Sequence, residues 1–136
     1  MAYVSPELKA KLAPAIKALC KQYGLKGTLS VRSHSALVLT ISSGSIDFIS
    51  NFNDCANVRA KMTGDRLHQA KDHIDVNLYH FNQQFAGRAL EFISKVEPLL
   101  KGPDFFDHSD SQTDYFHRSH YIGLNIGRWD KPYKVV

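Results

Sequence analysis

The chain has 136 residues, 43% of them hydrophobic and 22% charged, with a formal net charge of +4 at pH 7. That is the composition of a globular domain with enough chain for a core of its own, and no run reaches the roughly 18 apolar residues that a membrane helix needs. The start, MAYVSPELKAK, lacks the apolar centre of a signal peptide, and two distant cysteines, Cys20 and Cys55, read as buried thiols, so a cytoplasmic protein is expected.

Ser5 ahead of Pro6 predicts a helix start, because the hydroxyl can accept an orphan amide and proline tolerates the first helical position. Leu8, Leu12, Ile16, Leu19 and Tyr23 follow at steps of three and four, and Gly24 can close the helix. Pro14 interrupts the pattern and predicts a kink or a restart. From Thr28 the period changes to two: Leu29 and Val31, then Leu37, Leu39 and Ile41, then Ile46 and Phe48. This predicts an antiparallel meander of three strands with one apolar face to be covered by a helix. Asp54 is expected to cap a short helix with Cys55, Val58 and Met62 on its apolar face, stopped by Thr63-Gly64. Residues 74–81 fit strand and helix alike and are taken as strand. Phe85, Ala89, Phe92, Ile93, Val96 and Leu100 line a second long helix ending near Gly102-Pro103, and Ile122, Leu124 and Ile126 alternate in a last strand.

The whole reads as one α+β domain over 1–136: helix 1–24, strand meander 28–50, short helix 54–63, helix 82–101, loop 104–119, strand 120–127 and tail 128–136. An antiparallel sheet of four to five strands would carry two longer helices.

The loop contains DHSDSQTDYFHRSHY, residues 107–121. Asp107, Ser109, Asp110 and Asp114 are of types that knit turns through their own backbone. As cation ligands they lack the alternate spacing, central glycine and twelfth-position glutamate of an EF-hand. Asp114, His117 and His120 stand three apart but fall across a loop and a strand, and two cysteines exclude a Cys-rich zinc site. No P-loop, GxGxxG or GxSxG elbow occurs, so no catalytic residue, metal or cofactor is assigned, and an Asp/His acid-base or metal-dependent hydrolase is the least favoured reading. Seven aromatics crowd residues 105–133, and Tyr115, Trp129 and Tyr133 are the candidate anchors for a protein partner. Residues 1–71 hold ten Lys/Arg against four acids. Within them Lys9, Lys17, Lys21 and Arg32 form a candidate nucleic-acid patch. A homodimer is compatible with the pattern, and no membrane partner is expected.

The stretches VNLYHFNQQFAGRALEFI and DHSDSQTDYFHRSHYIGLNIGRWDKPY, within residues 76–133, resemble the large polyvalent-protein-associated domains, small proteins and modules of phages and mobile elements. The resemblance implies a mobile-element origin and an α+β fold with the loop and tail braced together, but no catalytic mechanism. The expectation is a non-catalytic accessory protein that engages a host protein, of defence or DNA-processing machinery, with nucleic acid as the alternative partner.

Overall fold

The computed structural model describes residues 3–64, 70, 72–78, 80–103, 105–106, 119–128 and 130–136. In chain order the elements are α1 (Pro6–Gln22), β1 (Leu25–Arg32), β2 (Ala36–Gly44), α2 (Phe48–Thr63), β3 (Ile74–Asp75), α3 (Phe81–Gln84), α4 (Gly87–Lys101), β4 (Tyr121–Ile126) and β5 (Lys134–Val135). The α+β class and a sheet of five strands agree with expectation. The sheet is mixed, however, rather than antiparallel throughout.

Ser5 caps α1 by accepting from the Leu8 N–H at 3.0 Å. The helix runs through Pro14 without a restart, since Leu12, Ile16, Leu19 and Cys20 bury a stripe on both sides of the proline and their packing outweighs one lost hydrogen bond. β1 and β2 form an antiparallel hairpin whose turn holds Ser33 and His34 at φ 53° and 58°. The third strand of the expected meander does not exist. Asp47 accepts from the Ser50 N–H at 3.0 Å and from its hydroxyl at 2.9 Å, so it starts α2, and the alternation of Ile46 with Phe48 is that of two core residues flanking a cap. Asp47, not Asp54, is thus the cap. The expected apolar face of this helix is also corrected: Phe48, Phe52 and Ala56 are buried, while Val58 and Met62 are exposed.

β2 takes three partners. β1 lies on one side; on the other, β4 runs parallel to Ala36–Ile41 and β5 runs parallel to Ser43 and Gly44. The long connection through α2, α3 and α4 supplies the crossover that a parallel pair requires. β3 pairs with β4 antiparallel, so the strand reading of 74–81 holds for Ile74–Asp75, and Phe81–Gln84 is helical.

The pairing sorts side chains cleanly. Leu29, Leu39 and Leu124 share one row and Ile41, Ile126 and Ile74 another, all buried beneath the helices. The alternate row is Thr28, Thr40, Asn125 and Asp75, and among the described residues no helix covers that face. α4 contributes Phe92, Ile93, Val96 and Leu100 to the core, each without exposed surface. Phe48 sits edge-on to Phe85, Phe92 and Tyr133 at centroid distances of 6.4, 6.0 and 5.7 Å. Each such pair adds about 0.5–1.5 kcal/mol to the burial of its rings.

Two asparagines of α2 act as backbone clamps. Asn53 accepts from the Ala70 N–H and donates to the Ala70 carbonyl, both at 2.8 Å, and Asn51 does the same at Ala86, both at 2.9 Å. Each imitates a strand partner for one residue of irregular chain.

The tail is a strap. The chain leaves β4 at Gly127, whose N–H donates to the Ile41 carbonyl, turns back between Arg128 and Lys131, and re-enters the sheet as β5. Gly127 has φ +70°, and a Cβ there would lie 2.6 Å from the Tyr133 nitrogen and 3.0 Å from the Asp72 carbonyl oxygen. Gly64 has φ +77° but open space around it. Gly127→Ala should therefore cost about 2–4 kcal/mol and Gly64→Ala only about 1 kcal/mol. Urea unfolding of the two variants checks this; equal midpoints would remove the steric role given to Gly127.

Candidate functional site

Of the residues singled out in the sequence, Asp107, Ser109, Asp110, Asp114, Tyr115 and Trp129 lie outside the described residues. Tyr133 is described, and it is no surface anchor. Its ring is 8% exposed and packs on Phe48, and its hydroxyl donates to the Ile46 carbonyl at 2.6 Å. The extended tail carries the ring inward, because Tyr133 fixes the chain just before β5 joins β2. Burial, with the Asp47 charge second, pushes the phenol up to about 12.

The four cations of the proposed basic patch do not form one surface. Arg32 pairs with Ala36 on the uncovered face, whereas α1 packs over the opposite face. Lys17 and Lys21 border a cleft of about 360 Å³ between α1 and β1, joined there by Lys26, and Lys9 borders neither region.

The uncovered face holds a recess of about 600 Å³. Thr28, Ser30, Thr40 and Ser42 furnish hydroxyls on its floor, and Arg32, Arg128 and Lys131 furnish the charge. A second recess of about 250 Å³ adjoins it, sharing Arg32, Gly127 and Arg128 and adding His73, Asp75 and Asn125. The strand order explains why these groups meet. β1 and β2 place polar side chains at alternate positions, and the chain's departure from β4 at Gly127 lifts Arg128 and Lys131 beside them. Arg128 holds Asp130 at 3.3 Å, and His73 Nδ1 lies 2.7 Å from an Asp72 carboxylate oxygen. An ionised carboxylate only accepts, so Nδ1 carries a proton and Nε2 is left as an acceptor when the ring is neutral.

Two other polar groupings are structural. The Tyr23 hydroxyl donates to Glu91 at 2.7 Å, Lys95 reaches the same oxygen at 3.2 Å, and Arg88 and Lys95 lie 4.9 and 5.5 Å from the Tyr23 ring centre. The Tyr23 hydrogen bond, then Lys95, holds the Glu91 carboxyl below the usual carboxylate range. This ties α1 to α4. His120 is 1% exposed, and its Nε2 lies 2.9 Å from the Leu100 carbonyl. It therefore donates to one of the last carbonyls of α4, which the helix itself cannot pair. Cys20 is a free thiol pushed up by burial and so poorly nucleophilic.

Among the described residues no group of three or more His, Cys, Asp or Glu is placed to hold a metal ion, and no helix is long and apolar enough to cross a membrane. Comparison with protein-family models, curated proteins and solved structures found no match.

Sequence reading missed Arg128, Lys131 and the hydroxyl ladder. The ladder was visible as the polar half of each strand's alternation, but alternation alone does not say whether a second layer covers it.

Because the folded phenol of Tyr133 titrates about 12 against an ordinary 10.0, the folded state keeps a proton that the unfolded chain has lost between those values. Stability is fully present below pH 10 and falls as pH rises toward about 12. Tyr133→Phe should flatten that alkaline slope while costing about 1–3 kcal/mol at neutral pH, since the Ile46 carbonyl loses its donor. Chemical unfolding across the alkaline range measures both, and a variant with the parent's slope would refute the assignment.

Proposed function

We propose that the chain is a non-catalytic binding protein whose ligand is a single nucleic-acid strand lying across the uncovered face of the sheet. The observation that carries the reading is the 600 Å³ recess, in which four hydroxyls and three cations converge on one polar floor. Phosphate oxygens are acceptors only, and guanidinium forks with the Thr28 and Thr40 hydroxyls answer them, while the Ser30 and Ser42 hydroxyls donate to the Val38 and Lys26 carbonyls at 3.4 and 3.2 Å. The floor spans neighbouring strands about 4.8 Å apart, so it is broad enough for a backbone with splayed bases. Tyr121, 41% exposed, stands on the same face beyond Ala36 and offers a ring to a base. The mobile-element origin implied by the resemblance of residues 76–133 fits such a ligand. The host-protein reading rested on Tyr115, Trp129 and Tyr133; of these the one described residue is in the core.

A second reading, phosphodiester hydrolysis in the same recess, is favoured by the His73–Asp72 pair at 2.7 Å next to Arg32 and Arg128. An oriented imidazole with a free acceptor nitrogen is a competent general base. Intact RNA and DNA after prolonged incubation with the protein would eliminate it; cleavage abolished by His73→Ala, with binding retained, would replace the non-catalytic reading.

Three cations on the floor predict a slope of log affinity against log salt of about −2 for a single strand, since each phosphate contact contributes about −0.7. Arg32→Ala and Arg128→Ala should each reduce the slope by about 0.7, and Lys9→Ala, outside both recesses, should leave it unchanged. Fluorescence anisotropy of labelled oligonucleotides in a salt series checks this. No saturable binding, or equal losses in all three variants, would sink the reading.

A further inference from the structure

We infer that the cleft between α1 and β1 is a docking groove for an extended, acidic segment of another protein, which adds to the sheet as a strand at the free edge of β1. The site is separate from the nucleic-acid face and does not depend on it. The strand order β1-β2-β4-β3 leaves one side of β1 without a partner among the described residues. An eight-residue edge therefore offers unpaired amides and carbonyls, the groups by which strand addition gains affinity. Unprotected edges of this length are usually shortened, bulged or covered. This one has a bulge at Lys26 and Gly27 and then continues regularly to Arg32.

The cleft beside that edge has the chemistry of a peptide groove. Its floor is apolar, made of Ile16, Cys20, Leu29 and Leu39, and Gly27 lets the Ile41 and Leu39 side chains close up beneath β1, since a Cβ there would lie 2.9 Å from one and 3.2 Å from the other. Its rim carries Lys17, Lys21 and Lys26, and none of these has an acidic partner among the described residues. Lys17 and Lys21 stand one helical turn apart, while Lys26 faces them from the strand. A strand whose alternate residues are apolar and acidic satisfies both layers at once, one set of side chains turned to the floor and the other to the lysines.

Charge also selects the occupant. A second copy of this chain, pairing β1 with β1, would bring its own lysine rim against the first and confront like charges across the new ladder. Nucleic acid would answer the lysines but leave the apolar floor unfilled. An acidic extended polypeptide answers the floor, the rim and the unpaired backbone together.

The test uses the full chain and a capped peptide of alternating valine and glutamate, eight residues long to match β1. Heteronuclear NMR titration reads the site, and amide hydrogen exchange reads the new ladder. The expected result is saturable shifts along β1 and the facing side of α1, with slowed exchange of β1 amides. Lys17→Glu, Lys21→Glu and Lys26→Glu together should weaken binding about tenfold or more while leaving the spectrum folded. A peptide with lysine in place of glutamate should not bind. The inference is overturned if β1 amides do not shift at saturating peptide, if the lysine peptide binds equally well, or if the shifts centre on Thr40 and Asn125 of β2 and β4 instead. It is overturned as well if β1 shifts with protein concentration alone, which would assign the edge to a second copy.

Discussion

A strand inside a sheet must have its backbone groups paired on both sides, and the arrangement of this chain follows from how β2 meets that demand. Its nine residues are longer than any single partner on its second side. β4 covers Ala36 to Ile41 and β5 covers Ser43 and Gly44, so the chain has to leave the sheet between them and return. Gly127 makes the exit because its left-handed backbone brings it against the Tyr133 nitrogen, where no side chain fits. Tyr133 makes the return, anchored at Ile46 by its hydroxyl and at Asp72 by its amide. The excursion in between carries Arg128 and Lys131. The cations of the uncovered face are thus a by-product of satisfying β2, and losing either anchor would displace them.

The second constraint is one-sidedness. α1 and α4 bury the Leu and Ile rows of the sheet and pack on one another, which leaves the helices no surface to offer the other face. Around a buried Val38, that face is consequently built mostly of Thr, Ser, Asn and Arg, residues that keep their hydrogen bonds in water when nothing else is bound. A ligand approaching it meets Thr28, Thr40 and Arg32 already placed by β pairing, with Arg128 and Lys131 on the turn beside them, so little ordering of the strands is needed on binding.

Periodicity made the helices and strands legible because each has one buried face: Leu12, Ile16 and Leu19 of α1, Ala89 to Leu100 of α4 and the Leu37, Leu39, Ile41 alternation lie inside as expected. Leu8, however, is only half-buried, and the expected helix 82–101 is broken at Phe85 and Ala86, where extended backbone separates α3 from α4. Gly64 likewise stops α2 in a left-handed cap. What sequence could not give is direction. Ile122, Leu124 and Ile126 alternate identically whether β4 runs parallel or antiparallel to β2, and only the path through α4 decides. Ile46 and Phe48 were misread because two core residues around a capping aspartate copy a strand's period over three positions. Tyr133 was misread for a related reason: a polar aromatic in a charged tail looks exposed until the tail is seen to enter the sheet.

The uneven charge of the sequence acquires a place in this geometry. The basic first half supplies α1 and β1, and both grooves are built on β1: Arg32 serves the uncovered face, while Lys26 with Lys17 and Lys21 serves the cleft. The acids of α4 do not neutralise them, because Glu91 is committed to Tyr23 and Lys95, and Glu97 holds Lys101 at 2.7 Å. β1 therefore borders two positive regions, one on each side of it. Their fields reinforce one another at long range, which speeds the approach of any polyanion, yet only the local surface decides what stays: hydroxyls and guanidinium groups on one side, an apolar floor with a strand edge unpaired among the described residues on the other.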